Sequence, residues 1–198
     1  MATIPGLYNK KDFITEQQEQ ELIDFIYQQP WNTSLSRRTQ HYGYLYDYHN
    51  TSVLKSTTPI PPLLLDYKVY IESIIESASE SKSKTKTKIK TVSTAEDMTT
   101  VINFDQCIVN EYTDRQGIAS HIDHVVHFGP VIASLSLGSP CIFDFSRDEQ
   151  ECEITLDRCE LLVLTGEARY KWKHAIAKGN RGRTGTRISI TFRCVNKQ

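Results

Sequence analysis

Arg187-Ile188-Ser189-Ile190-Thr191-Phe192-Arg193 is the stretch on which the fold of this 198-residue chain turns. Polar and apolar side chains alternate along it without a break, the period of a strand with two distinct faces. Arg187, Ser189, Thr191 and Arg193 share one of those faces. In a β-rich interior an inward arginine is costly unless an anion meets it. The run therefore reads as a β-strand that carries chemistry as well as packing.

Outward from this strand, the chain beyond residue 100 is a series of short apolar runs at 107–112, 131–137, 141–145, 153–156, 161–164 and 187–195. Gly, Pro and Asp punctuate them, as in a β-sandwich or small β-barrel. Upstream the texture is helical. Thr15 and Gln18 form a capping-box pattern ahead of Leu22, Ile23, Phe25 and Ile26, and Pro30 with Trp31 closes the run. Past Pro59, Pro61 and Pro62, a second helix is expected from Leu63 to about Ser77, carrying Leu64, Tyr67, Tyr70, Ile71, Ile74 and Ile75. Helices followed by strands predict an α+β fold. Residues 1–100 would supply the helices and a lid, and residues 101–197 the β core, as one structural unit.

Between the two parts, residues 77–94 collapse to Ser, Lys, Thr and Glu. Such a composition buries too little apolar surface to order itself, so a disordered insertion is expected. It reads as a solvated linker, with a basic strip for phosphates as the other reading. The overall charge, 23 basic against 24 acidic residues, excludes a uniformly basic nucleic-acid coat but permits a local patch. Five cysteines without a Cys-x-x-Cys pair point to plain thiols and a reducing compartment. No secretory signal or membrane-length apolar run is visible, so a soluble intracellular monomer, in cytoplasm or nucleus, is expected.

The chemistry starts at His121-Ile122-Asp123. On a strand, residues two apart project to the same side, so both side chains can reach one metal ion. A third ligand is available at His174, 174 − 123 = 51 positions on. Two imidazoles and a carboxylate suit iron(II) and leave coordination positions open, although manganese or cobalt fits the same donors. Arg187 and Arg193 add guanidinium groups able to grip a dicarboxylate in two-pronged hydrogen bonds, and Asn110 and Tyr112, also two apart, can add neutral ones. Each residue alone has a bland reading, a core histidine or a structural ion pair. Their ordered conjunction favours a site.

Residues 37–48 place Arg37 and Arg38 ahead of Tyr42, Tyr44, Tyr46 and Tyr48 at strand period. Aromatic faces that stack a splayed base, with arginines for phosphates, make a nucleotide lid. Arg38, Tyr42 and Tyr44 are the candidate substrate contacts; the competing reading is that the tyrosines pack the sheet.

Taken together, these residues resemble the AlkB family of iron(II)/2-oxoglutarate dioxygenases from about Pro5 to Val195. The resemblance rests on Asn110-Glu111-Tyr112, His121-Ile122-Asp123, His174 and Arg187 to Arg193, in that order. Ser134-Leu135-Ser136-Leu137-Gly138 and Leu164-Thr165-Gly166-Glu167-Ala168-Arg169-Tyr170 add to it. Within the family the chain looks most like members that hydroxylate a modified wobble uridine in tRNA, on His41-Tyr42-Gly43-Tyr44, residues 117–123 and residues 161–176. Val125 stands where repair-type members place an acidic residue, which turns the expectation away from N-methylated adenine or cytosine.

The resemblance implies a double-stranded β-helix, or jelly roll, with the N-terminal helices packed on one sheet. It implies Fe(2+) held by His121, Asp123 and His174, with 2-oxoglutarate and O2 as co-substrates. Arg187 and Tyr112 would take the distal carboxylate, while Arg193 and Asn110 steady the end near the metal. The implied reaction hydroxylates or demethylates an alkyl group on a nucleic-acid base, RNA more than DNA. The alternatives are the same chemistry on a protein side chain or small molecule, and a catalytically silent nucleic-acid-binding homologue.

Overall fold

The computed structural model describes residues 4–47, 52–55, 58–84, 102–113, 115–179 and 184–196. Along the chain run β1 (Leu7–Lys10), α1 (Glu16–Tyr27), β2 (Thr39–Tyr42), β3 (Tyr44–Asp47), β4 (Ser52–Lys55), α2 (Pro62–Lys84) and β5 (Gln106–Tyr112). There follow β6 (Ile118–His121), β7 (Phe128–Gly138), β8 (Cys141–Arg147), β9 (Gln150–Leu156), β10 (Glu160–Leu164), α3 (Gly166–Tyr170), β11 (Lys173–Ile176) and β12 (Arg187–Val195). Six strands form one antiparallel sheet in the order β1-β10-β7-β12-β5-β2, four form a second in the order β6-β11-β8-β9, and β3 pairs with β4 alone.

The large sheet is buried on both faces, and β12 shows how. Ile188, Ile190 and Phe192 join Val109, Leu135 and Leu161 in a core under α1 and α2, where Leu22, Ile26, Leu64 and Ile71 pack. The alternate residues of β12 face the small sheet. There Tyr112, Ile132, Leu162 and Leu164 meet Phe143, Phe145, Leu156, Trp172 and Ile176 in a second core. The helices-on-one-sheet expectation and the jelly-roll expectation both describe this arrangement.

At α1 the capping box is formed, with the Gln18 amide donating to Thr15 Oγ1 at 3.2 Å and the Thr15 amide to Gln18 Oε1 at 2.9 Å. The second helix departs from expectation. α2 does not stop near Ser77 but continues to Lys84, so residues 77–84 are helical rather than disordered. Glu, Lys and Ser extend a helix already nucleated and packed at Leu64 and Ile71, because propagation lacks the entropic penalty of nucleation. The remainder of the expected insertion lies outside the described residues. All five cysteines are free thiols. Among the described residues no helix is long and apolar enough to cross a membrane.

The tyrosine ribbon is not one strand. It breaks at Gly43, whose φ of +74° lies in the left-handed region and where a Cβ would sit 2.0 Å from the Asp105 carbonyl oxygen. β2 ends the large sheet, and β3 leaves it to pair with β4. Register decides the faces of β2. Tyr42 lies opposite Cys107, on the helix side, and Thr39 lies opposite Asn110, on the side between the sheets. Tyr48 and the side chain of Tyr46 lie outside the described residues.

Candidate metal centre and its arginine-lined cavity

His121 closes β6 and His174 sits in β11 directly opposite it, so strand pairing alone sets the two imidazoles side by side, with ring centroids 4.4 Å apart. Asp123 lies two residues past the end of β6, in the following loop, rather than on a strand as expected. Its side chain nonetheless turns to the same point. Asp123 Oδ2 is 3.7 Å from His174 Nε2, and ligand-capable atoms of His121, Asp123 and His174 all lie within 4.8 Å of one another.

Hydrogen bonds hold two of the ligands from behind, while His174, whose buried Nδ1 has no partner among the described residues, is held by stacking. His121 Nδ1 lies 2.8 Å from the Ala119 carbonyl, a contact that requires the proton on Nδ1 and leaves Nε2 as a lone-pair donor. Arg193 Nη1 donates to Asp123 Oδ1 at 2.7 Å, which leaves Oδ2 for the shared point. His174 is buried and stacked on Phe143, with centroids 5.6 Å apart and planes 14° from parallel.

Electrostatics favour the deprotonated forms that metals bind. Burial lowers the His174 pKa to about 4; Asp123 opposes the shift, and His121, Arg169 and Arg193 reinforce it. Burial would raise the Asp123 carboxyl, but the Arg193 guanidinium first, with smaller electrostatic contributions from His174, His121 and Arg169, holds it below the ordinary carboxylate range. Imidazole and carboxylate donors within reach of one ion fit iron(II).

The site opens into a cavity of about 470 Å3 between the two sheets, a volume within the range for small-molecule sites. Its floor is the polar face of β12 and β5, with Arg187 opposite Tyr112 and Ser189 opposite Asn110. Arg187 is 1% exposed, donates to Ser136 Oγ at 3.0 Å and lies 5.4 Å from the centre of the Tyr112 ring. The Nε atoms of Arg187 and Arg193 are buried and have no hydrogen-bond partner among the described residues. Two buried guanidinium groups that line one cavity and keep spare donors suit a bound diacid. Asp123 contributes the one carboxylate among the lining residues.

The structure brings together seven of the expected residues, His121, Asp123, His174, Asn110, Tyr112, Arg187 and Arg193. It places the other three elsewhere. Arg38 turns away from the cavity: it is bound to Glu111 at 2.5 and 2.8 Å and lies over the Trp31 ring at 4.6 Å. Tyr42 is 4% exposed in the helix-side core, its hydroxyl donating to Gln40 at 3.0 Å, because β2 turns that face inward. Tyr44 begins β3 outside the cavity lining, and its carbonyl accepts from the Gln106 side chain at 2.8 Å.

Arg37 is the arginine that enters the cavity. It is 9% exposed and donates its Nε to Asn110 Oδ1 at 2.9 Å. A guanidinium has no acceptor, so this contact orients the Asn110 amide with its NH2 turned away from Arg37. Counting in twos through Arg37, Thr39 and His41 gives this inward face once Tyr42 is assigned to the core. The residue composition of the ribbon does not supply that assignment.

Comparison with known proteins agrees with this geometry. A model described as 2OG-Fe(II) oxygenase superfamily matches residues 6–193. The chain is 30% identical over 194 residues to "Alkylated DNA repair protein ALKBH8 homolog" of Arabidopsis thaliana, covering 87% of this chain and 51% of that protein. It is 33% identical over 183 residues to "tRNA (carboxymethyluridine(34)-5-O)-methyltransferase ALKBH8" of Macaca fascicularis, covering 88% of this chain and 24% of that protein. The chain thus spans about half the length of the first relative and about a quarter of the second. Among solved structures, "The structure of OsALKBH1" superposes with a TM-score of 0.74 at 17% identity, over 98% of this chain and 99% of that one, a likeness of fold.

Proposed function

We propose, for a chain that belongs to the 2OG-Fe(II) oxygenase superfamily and is AlkB-like within it, that it oxidises an alkyl group on a nucleic-acid base, with tRNA or another RNA favoured. Membership implies iron(II), 2-oxoglutarate and O2. The observation that carries the reading is the pair of partnerless buried guanidinium Nε atoms beside a His-Asp-His donor set. The name of the macaque relative speaks for RNA, since it places that protein on a tRNA uridine. We further infer that the protein acts as a monomer inside the cell.

His121, Asp123 and His174 would hold the iron. When bound, iron(II) supplies the activation of O2 against 2-oxoglutarate that oxidises a substrate C–H bond. The chain's own residues bind and orient. Arg187 and Tyr112 take the distal carboxylate of 2-oxoglutarate, and Arg193 and Asn110 steady the other end. Ile118, Phe143 and Ile176 line the cavity with apolar surface and limit water around the reacting groups. Arg37, at the same cavity, is the cation available to an acceptor group of the substrate.

Purified protein with iron(II), ascorbate and 2-oxoglutarate tests the reading. Succinate should appear above background and vanish in His121→Ala and Asp123→Ala. Mass spectrometry of nucleosides from incubated tRNA and N-methylated oligonucleotides should show a gained oxygen or a lost methyl group. Equal succinate from wild type and both variants contradicts the chemistry. Succinate formation with unchanged nucleosides and a shifted peptide or small molecule contradicts the substrate class.

A further inference from the structure

Arg169 is among the most deeply buried side chains in the protein, at 1% exposure; the Asp123 carboxylate acts on it only through space, and its direct contacts are to carbonyls. A guanidinium out of water without a contacting counter-ion is expensive unless its donors are well used. They are. Nε donates to the Gly129 carbonyl at 3.0 Å, Nη1 to the Asp123 carbonyl at 2.8 Å, and Nη2 to the Phe128 carbonyl at 3.0 Å and the His124 carbonyl at 3.3 Å. The acceptors bracket one short loop, from the candidate metal carboxylate at Asp123 to the first residues of β7.

The donor side matters equally. Arg169 belongs to α3, and five positions on along the same segment lies His174. The two halves of the donor set, His121 with Asp123 and His174 alone, come from distant parts of the chain. Arg169 ties the segment of one half to the backbone of the other. The planar fork of the guanidinium suits this work; a lysine ammonium is a single point and does not reach a spread of carbonyls in one plane.

We propose that Arg169 is a positioning residue that fixes the Asp123 loop against the His174 segment and so sets the metal affinity of the site. The inference rests on the reading of His121, Asp123 and His174 as metal ligands. It assigns a role to a residue that touches neither metal nor co-substrate.

Cobalt(II) alone is the probe, followed by its visible absorption in wild type, Arg169→Gln, Arg169→Lys, His121→Ala and Leu22→Ala. Leu22→Ala opens the helix-side core, far from the site, and controls for a general loss of stability. Arg169→Gln should weaken Co(II) binding by about tenfold to hundredfold, the usual effect of removing a group that orients a ligand. Its absorption bands should change shape, Arg169→Lys should recover part of the affinity, and Leu22→Ala should bind as wild type does. Binding by folded Arg169→Gln within twofold of wild type overturns the proposal, as does an equal loss in Leu22→Ala. If Arg169→Gln does not fold, Arg169→Lys is judged by the same criterion. In unmodified protein, NMR should show the Arg169 Nε–H exchanging slowly with solvent; exchange as fast as at surface arginines also overturns it. Wild type that binds no Co(II), or His121→Ala that binds it equally well, removes the metal reading itself and is a different result.

Discussion

Arg193 Nη1 and Asp123 Oδ1 meet at 2.7 Å across 70 positions of sequence, both side chains nearly withdrawn from water. The contact couples two functions, because Arg193 also lines the cavity and its buried Nε has no hydrogen-bond partner among the described residues. Removing one partner of a buried ion pair strands the other. Arg193→Met should therefore destabilise the metal-free protein by about 3–5 kcal/mol and weaken 2-oxoglutarate binding as well. Urea denaturation and titration calorimetry read the two effects, and a loss below about 1 kcal/mol speaks against the coupling.

Arg37 and Arg38 should separate cleanly. Arg38→Ala leaves the Glu111 carboxylate without its main partner and should cost about 1–3 kcal/mol of stability with little change in KM. Arg37→Ala should raise the KM for the nucleic-acid substrate about tenfold, about 1.4 kcal/mol of lost binding. Because Arg37 also orients the Asn110 amide, succinate release in the absence of substrate should fall as well, but by less than turnover of the nucleic acid. Steady-state kinetics with both variants decides; the reverse pattern returns Arg38 to the site.

Acid should destabilise the protein through His41. Burial, then the charges of Arg193 and Arg37, lower its pKa to about 4, from an ordinary value of 6.5. Because the folded pKa is the lower one, the unfolded chain takes up the proton first as pH falls. The His41 contribution is therefore full above about 6.5, declines between 6.5 and 4, and levels off below that, and His174 adds a decline in the same window. The expected contribution is about 2 kcal/mol after allowance for partial exposure, and His41→Gln should flatten the slope by roughly one proton in urea titrations across this window.

Gly43→Ala tests the break between β2 and β3. At a φ of +74° and with a carbonyl oxygen 2.0 Å from the new Cβ, the strands must part or shift. A loss of at least about 2 kcal/mol is expected, against about 1 kcal/mol or less for an unstrained Gly→Ala change.

Much of this was legible in residue order. The alternation in β12 announced both faces of the large sheet, and the spacing of Asn110, Tyr112, His121, Asp123, His174, Arg187 and Arg193 announced the cavity. Three short strands escaped: β1, β4 and β11 have four residues each, too few to show a period. One of those, β11, holds His174 in place. Arg38 and Tyr42 were misplaced because both project from the side of the ribbon turned away from the cavity, and Tyr44 and Tyr46, past Gly43, belong to another sheet. Arg169 is silent in sequence for a different reason. Its partners are backbone carbonyls 40 or more positions away, and carbonyls carry no residue identity.

The most direct test of the account is anomalous diffraction from crystals grown without oxygen in manganese(II) and 2-oxoglutarate. One peak should lie between His121 Nε2, Asp123 Oδ2 and His174 Nε2, with the diacid running from it to the Arg187 guanidinium. A peak elsewhere, or a diacid that leaves Arg187 and Arg193 without an acceptor, contradicts the account.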